Sequence, residues 1–290
     1  MSRTNNALRF GLNIGGRGFN EALELSQLAE KAGFDTIALT DRPPENNLEA
    51  WTLATAVGVL TKRVILTHST LNIPFRNPAL LAKMAASLDV ITGGGRIELT
   101  LGAGAQEPHF RSYGIHYGSN GERLMDLRDA VTILRGLWTN DSFTYKGARL
   151  WVDNAISLPK PVMGTIPVWI GALGPRMMRF TEAHGDGWMK NRGWPETTDQ
   201  LIKLIGILDG AAEKAGRDPG NIRRVLNGAA IIGTGPHPET PGLVGNHQQI
   251  LETIDLYRDM GIDTFHLRFP NTGTQEQLLQ FGEEVIAAAK

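Results

Sequence analysis

The chain contains no cysteine, which excludes disulfides, thiolate catalysis, iron–sulfur clusters and cysteine-ligated zinc. It has no apolar run long enough to span a bilayer. Neither sign of charge is in excess: 29 Lys and Arg face 30 Asp and Glu, for a formal net charge of −1. Nucleic acid and a membrane surface are therefore not expected as partners. The common nucleotide and nucleophile signatures GxGxxG, GxxxxGK[ST] and GxSxG are missing. The opening residues, MSRTNNALRF, lack the apolar core of a signal peptide, so a cytoplasmic location is expected.

What is present is a chain of 290 residues, 41% hydrophobic, with room for a large core. Its organising stretch is Ile166–Trp188, which reads as a buried strand at Val168–Ile170, a tight turn and a helix opening on Pro175. Proline suits a first helical position, where its missing N–H costs nothing. The helix's first turn, Pro175, Arg176, Met177 and Met178, has no acid and carries a cation. Free N–H groups at the positive end of a helix dipole, beside an Arg, form a site for an anion, most often a phosphate. Gly171, Ala172, Leu173, Gly174, Pro175 and Arg176 are therefore expected to cradle a cofactor phosphate.

Hydrophobic periodicity predicts strands at Leu8–Ile14, Thr36–Thr40, Val64–Thr70, Arg96–Gly104, Val168–Ile170, Gly187–Asn191, Arg223–Ile232 and Thr264–Phe269. Helices are expected over Asn20–Ala32, Leu48–Leu60, Asn77–Val90, from the capping box Ser119-x-x-Glu122, after Pro175, and over Thr197–Ala215 and Asn246–Met260, with a last helix carrying Leu278, Phe281 and Val285. A small hairpin over Phe143–Val152 turns at Lys146-Gly147, outside the main repeat. The stretches 105–119 and 233–245 are expected to be long, functional loops. Strict βα alternation through eight units predicts a parallel sheet closed as a (β/α)8 TIM barrel, with residues 1–290 as one domain.

Barrel active sites lie at the C-terminal ends of the strands. That rule collects Asn13, Asp41, His68, Ser69, Thr70, Gly102, Ala103, Gly104, Ala105, the Gly171–Arg176 turn, Lys190, Asn191 and Arg268. Gly102–Ala105, paired with Gly171–Arg176, suggests two small-residue walls against one flat ligand. His68, Glu107, His109 and Arg268 are the candidate catalytic groups, and Trp188 is a candidate to line the cofactor. Asp41 is read either as an acceptor for a polar ring or as a cap of the next loop. Glu98 and Thr100 are expected to face the barrel interior, with His266 and Arg268 on the strand-eight face. Glu107, His109 and His116 lack helical metal-ligand spacing, so no metal is expected.

At AEKAGFDTIALTD (Ala29–Asp41), SLDVITGGGRIELTLGAG (Ser87–Gly104), GERLMDLRDAVTILRGLW (Gly121–Trp138) and PVWIGALGPRMMRFTEAHGDGW (Pro167–Trp188) the chain resembles the luciferase-like monooxygenase superfamily, especially its deazaflavin (coenzyme F420)-dependent branch. The resemblance implies a (β/α)8 barrel with insertions and an oxidoreductase that transfers a hydride between bound F420 and a small organic substrate. It matches Ser69-Thr70 to a non-prolyl cis peptide behind the cofactor ring, Gly102–Ala105 to a turn against the ring, Gly171–Arg176 to the phosphate turn and Asp41 to the ring's polar edge. It also implies a homodimer. Two positions depart from the branch: Arg42 stands where many members carry His, and Ala105 where its sugar-phosphate dehydrogenases carry an acid. An FMN-dependent monooxygenase using reduced flavin and O2 is the alternative on the same fold. A barrel that binds a ligand without chemistry is a third reading.

Overall fold

The computed structural model describes residues 4–45, 48–190, 193–233 and 241–290. The chain begins with β1 (Arg9–Ile14), α1 (Phe19–Lys31), β2 (Thr36–Leu39) and α2 (Ala50–Leu60). β3 (Ile65–His68), β4 (Leu71–Asn72), α3 (Pro78–Ile91), β5 (Leu99–Gly102), α4 (Glu107–Ser112) and α5 (Asn120–Thr139) follow. A hairpin of β6 (Phe143–Lys146) and β7 (Trp151–Ala155) precedes β8 (Val168–Ala172), α6 (Pro175–His184), β9 (Gly187–Lys190) and α7 (Thr198–Lys214). The last elements are β10 (Arg223–Ile232), β11 (Gly242–Gly245), α8 (His247–Asp259), β12 (Thr264–Arg268) and α9 (Thr274–Phe281), which runs on through a π-helical turn (Gly282–Ile286) into α10 (Ala287–Ala289). Hydrogen bonding orders the strands β3-β2-β1-β12-β10-β9-β8-β5-β4, with β11 beside β10.

Three expectations change. The strand expected over Val64–Thr70 is interrupted: β3 stops at His68, a cis peptide joins Ser69 to Thr70, and β4 resumes at Leu71. The 105–119 stretch is not all loop, because Pro108 sits at the start of the short helix α4. The 233–245 stretch ends in β11, paired in parallel with Ala229–Ile232 of β10. Its residues 234–240, like Asn191, lie outside the described residues. Among the described residues no helix is long and apolar enough to cross a membrane.

The chain divides into two compact units, one of Met1–Ile14, Phe19–Ala38 and Ile170–Lys290, the other of Gly15–Gly18 and Leu39–Trp169. The core of the first is aromatic. Phe10 stacks on Phe265 at 6.0 Å and meets Phe281 edge-on at 5.8 Å, while Phe34 and Phe269 also pack on Phe281. His266, one residue from Phe265, turns to the opposite side of β12. There it lies over Gly11, where an added Cβ would come within 2.5 Å of the imidazole and 2.1 Å of the Thr36 hydroxyl. Burial, with Arg9 and Arg223 adding to it, pushes His266 down to about 3, so the ring is neutral.

In the second unit the alternation of β3 is visible in its contacts. Thr67 shares a hydrogen bond of 2.9 Å with Thr100 of β5. Leu66 packs on α2, where a Cβ at Gly58 would lie 2.8 Å from it. The hairpin is pinned by fully buried Asp129 of α5, which accepts hydrogen bonds from the Tyr145 hydroxyl (2.9 Å) and the Arg149 N–H (3.2 Å). Position 147 must be glycine for this: a Cβ would lie 2.3 Å from the Asp129 carboxylate.

Candidate active site

In the first unit, β8 is buried throughout and delivers the turn expected to bind an anion. Gly171 and Ala172 are buried, whereas Gly174, Pro175 and Arg176 are exposed and Leu173 lies between. Gly174 is the N-cap of α6 with extended backbone (φ −91°, ψ 156°); no side chain caps the helix and its first turn carries no acid. The first intrahelical bond runs from the Met178 N–H to the Gly174 carbonyl at 3.0 Å. A Cβ at Gly174 would meet nothing within 4 Å, so the approach to these N–H groups is open. Trp188 is fully buried and donates its indole N–H to the Ala172 carbonyl at 3.1 Å. It braces the strand end that carries the turn and presents no face to solvent.

β1 and β12 run in parallel with Leu12 opposite Leu267. One residue further along, Asn13 and Arg268 fall side by side at the strand ends. Arg268 also lies opposite Ala229 of β10. Asn13 is buried and Arg268 exposed, so this row offers a cation at the rim with an amide beneath it.

In the second unit, Asp41 follows β2 and is fully enclosed. Its Oδ1 accepts from Arg76 Nη2 and its Oδ2 from Arg76 Nη1, both at 2.9 Å, and Oδ2 also takes the Asn72 N–H at 2.9 Å. Arg76 reaches a second carboxylate, Glu49. Glu49 in turn caps α2, accepting from the Trp51 and Thr52 N–H groups at 3.1 and 2.7 Å. Burial alone would raise Glu49, but these hydrogen bonds and Arg76 prevail and hold it at about 2. Both Asp41 oxygens are thus engaged within the protein, by Arg76 and the Asn72 N–H.

Thr70 packs against Gly102, where a Cβ would lie 2.7 Å from the Thr70 hydroxyl. Gly104 has φ +87° and lies under Phe110 of α4, 2.7 Å from where its Cβ would be, so both conformation and space require glycine. Phe110 in turn stacks on Phe75 at 4.5 Å. Ala103 is half-buried and Ala105 exposed.

The candidate catalytic groups separate. Glu107 is exposed at the start of α4, 4.0 Å from Arg111 one turn on. His109 is half-buried with Nε2 3.8 Å from Glu45. His68 shares its side of β3 with Leu66, stacking on Trp51 of α2 at 5.5 Å, nearly parallel. Neither of its ring nitrogens has a hydrogen-bond partner among the described residues. Burial first, then nearby Arg76, pushes it down to about 3. A neutral histidine packed against a helix is poorly placed for proton transfer at a strand end, because the C-terminal rim and the helix layer are different places on the same strand. Arg76, Glu49, Asn72 and Trp51 join the site only in three dimensions; no local pattern marks them.

Residues 6–238 match the model of the family described as luciferase-like monooxygenase. An F420-dependent glucose-6-phosphate dehydrogenase of Microbacterium testaceum (strain StLB037) is 32% identical over 225 residues, 72% of this chain and 64% of that protein. One of Mycolicibacterium fortuitum is 33% identical over 227 residues, 76% of this chain and 66% of the relative. The match thus spans just under two thirds of these relatives' length. Among solved structures, an F420-dependent secondary alcohol dehydrogenase in complex with an F420-acetone adduct superposes with a TM-score of 0.87 at 20% identity, over 98% of this chain and all of that one. A long-chain alkane monooxygenase superposes at 0.83 with 16% identity, over 98% of this chain and 91% of the other. At such identities the likeness is one of fold, and the fold class is the (β/α)8 TIM barrel with insertions.

Proposed function

The chain belongs to the luciferase-like monooxygenase family, and from that premise we propose that it is an oxidoreductase moving a hydride between coenzyme F420 and a small organic substrate. The observation that carries this reading is the start of α6, with no side-chain cap, no acid in its first turn and an exposed Arg176. Such a helix end favours an anion, and the open space at Gly174 fits the phosphate of a nucleotide-like cofactor. The choice of F420 over FMN is supported by the relatives at 32–33% identity, whose names carry that cofactor.

When bound, a deazaflavin supplies a carbon that gives or takes a hydride; the protein binds it, orients it and keeps water away. In this reading Gly171–Arg176 hold the phosphate. Ser69, Thr70 and Gly102–Ala105 back the ring. Arg268 with Asn13, and Glu107 with His109, address the substrate. Asp41 works through the partners it already has, and His68 and Trp188 support the scaffold. Arg42 and Ala105 argue against a sugar phosphate as that substrate. Residues 1–290 acting as one domain, a cytoplasmic location and a homodimer belong to the same proposal.

The test is a titration of F420 and FMN in parallel, followed by intrinsic tryptophan fluorescence, on the wild type and on Arg176→Ala. F420 is expected to bind, with its Kd raised about tenfold by the substitution, the order of one lost charge-assisted contact. Preference for FMN moves the protein to the reduced-flavin, O2-using reading. Indifference to Arg176 removes the anion site.

A further inference from the structure

We propose that Arg76 and Asp41 form one positioning unit for the turn at Ser69–Thr70, so that Arg76, itself out of reach of a ligand, sets how firmly a cofactor ring is held. This rests on the proposed function, in which that turn backs the ring.

Three ties converge on the turn from one side. The Ser69 N–H donates to the Leu39 carbonyl at 2.8 Å. The Asn72 side-chain amide donates to the Asp41 carbonyl at 2.9 Å and to the Thr70 carbonyl at 3.5 Å. The Asn72 N–H donates to the Asp41 carboxylate at 2.9 Å. Ser69 at the start of the turn and Asn72 just after it are thereby referred to one short segment, 39–41, and Asn72 carries Thr70 with it. That segment is held by the fork of Arg76 on the Asp41 carboxylate, two bonds of 2.9 Å.

The Arg76 side chain is only 11% exposed and the Asp41 side chain not at all. Neither is free to meet a ligand, yet each fixes the other. Glu49 takes a further hydrogen bond from Nη2 of the same guanidinium and ties it to the start of α2. A planar fork satisfies both oxygens of Asp41 and still has a donor for Glu49; a lysine ammonium is a single point with no such geometry. Across the turn, Gly102 leaves just the space that the Thr70 hydroxyl fills, so a small shift of the turn is transmitted to the wall at Gly102–Ala105. Arg76 is thus a positioning residue whose loss acts on the ring side of the site.

The test uses the full chain and two probes: 5-deazariboflavin, which has the ring and no phosphate, and inorganic phosphate. Dissociation constants come from fluorescence and calorimetry, with thermal melting alongside. Arg76→Lys is expected to raise the Kd for 5-deazariboflavin at least fivefold while the phosphate Kd stays within twofold. Asn72→Ala keeps the ion pair and cuts only the amide ties; it is expected to weaken the ring probe at least twofold at a nearly unchanged melting temperature, and it decides the matter should Arg76→Lys not fold. Unchanged ring affinity in the folded variants overturns the proposal. So does a parallel loss of ring and phosphate binding with the melting temperature, which is what a merely structural role predicts. A wild type that binds neither probe instead overturns the functional reading on which the inference rests.

Discussion

Helices α2 and α6 start in opposite ways. Both lack an acid in the first turn, and both have an arginine at hand. At α2 the N-cap Glu49 folds its carboxylate over the Trp51 and Thr52 N–H groups and takes Arg76 as well. At α6 the N-cap is Gly174, which has no side chain to offer, and Arg176 stands in solvent. The positive end of each helix prefers an anion. In α2 the protein supplies the anion itself, and the result is a structural joint. In α6 no side chain of the protein takes that place, which is why the proposed function puts an external anion there. Four other helices, α3, α5, α7 and α8, are like α2 capped by side chains; α4 and α9 share with α6 the lack of a side-chain cap but carry Glu107 and Glu276 in their first turns, whereas α6 has neither cap nor acid.

The largest expected effect comes from breaking the filled site. Arg76→Gln leaves the fully enclosed Asp41 without its counter-ion, and removal of one partner from a buried ion pair costs about 3–5 kcal/mol. Urea unfolding should show that loss. Arg176→Ala, at an exposed position, should change stability by less than about 0.5 kcal/mol. Similar small effects at both arginines would mean that the two helix starts do not differ in the way their contacts indicate.

Acid is the next largest perturbation. His68, beside the filled site, is held neutral at about 3, and so is His266 in the other unit. In the unfolded chain each takes up a proton near the ordinary value of about 6.5. A depressed histidine therefore makes the folded state lose ground as pH falls below about 6.5, by up to about 1.4 kcal/mol per pH unit for each ring, until the folded value is reached. Glu49 acts in the same direction at lower pH, since its folded value of about 2 lies below the ordinary carboxylate range. His68→Phe keeps a ring stacked on Trp51 and removes the titrating group. Unfolding free energies at pH 7 and pH 5 should then differ by roughly half as much as in the wild type, two such rings being present among the described residues. An unaltered pH dependence would show that His68 does not stay neutral in the folded protein.

The same contrast accounts for what can be read from the sequence. The α6 start is contiguous: strand, glycine turn, Pro175 and an acid-free first turn follow one another from Val168 to Met178, and each has a local physical meaning. The capping box at Ser119 and the hairpin turn at Gly147 are legible for the same reason. The filled site is not contiguous. Asp41, Glu49 and Arg76 are spread over 35 positions, and nothing local distinguishes Arg76 from any arginine ahead of a helix N-cap. His68 shows a finer limit. Its place near the end of a strand suggests chemistry, but alternation along β3, fixed by Thr67 on Thr100 and Leu66 on α2, turns it to the helix layer. β9, only Gly187–Lys190, is short, yet its register with Arg223–Val225 secures it. α4 and β11 hide in stretches whose glycine and proline content reads as loop.

The smallest change is the most discriminating, because it would convert the open helix start into a filled one. Gly174 already has the extended backbone of an N-cap, and a side chain there would meet nothing within 4 Å. Gly174→Asp therefore places a carboxylate where Glu49 has one on α2. Relative to glycine, a capping aspartate is worth a few tenths of a kcal/mol, with about 0.3–1 kcal/mol more from the helix dipole. The variant should unfold at slightly higher urea than the wild type. The same carboxylate would occupy the N–H groups and repel a phosphate, so the Kd for F420 should rise more than tenfold. A variant that gains stability and loses the cofactor shows that the wild type keeps this helix end empty for a ligand. One that gains stability and still binds normally places the phosphate elsewhere, and α6 becomes simply a helix that lacks a cap.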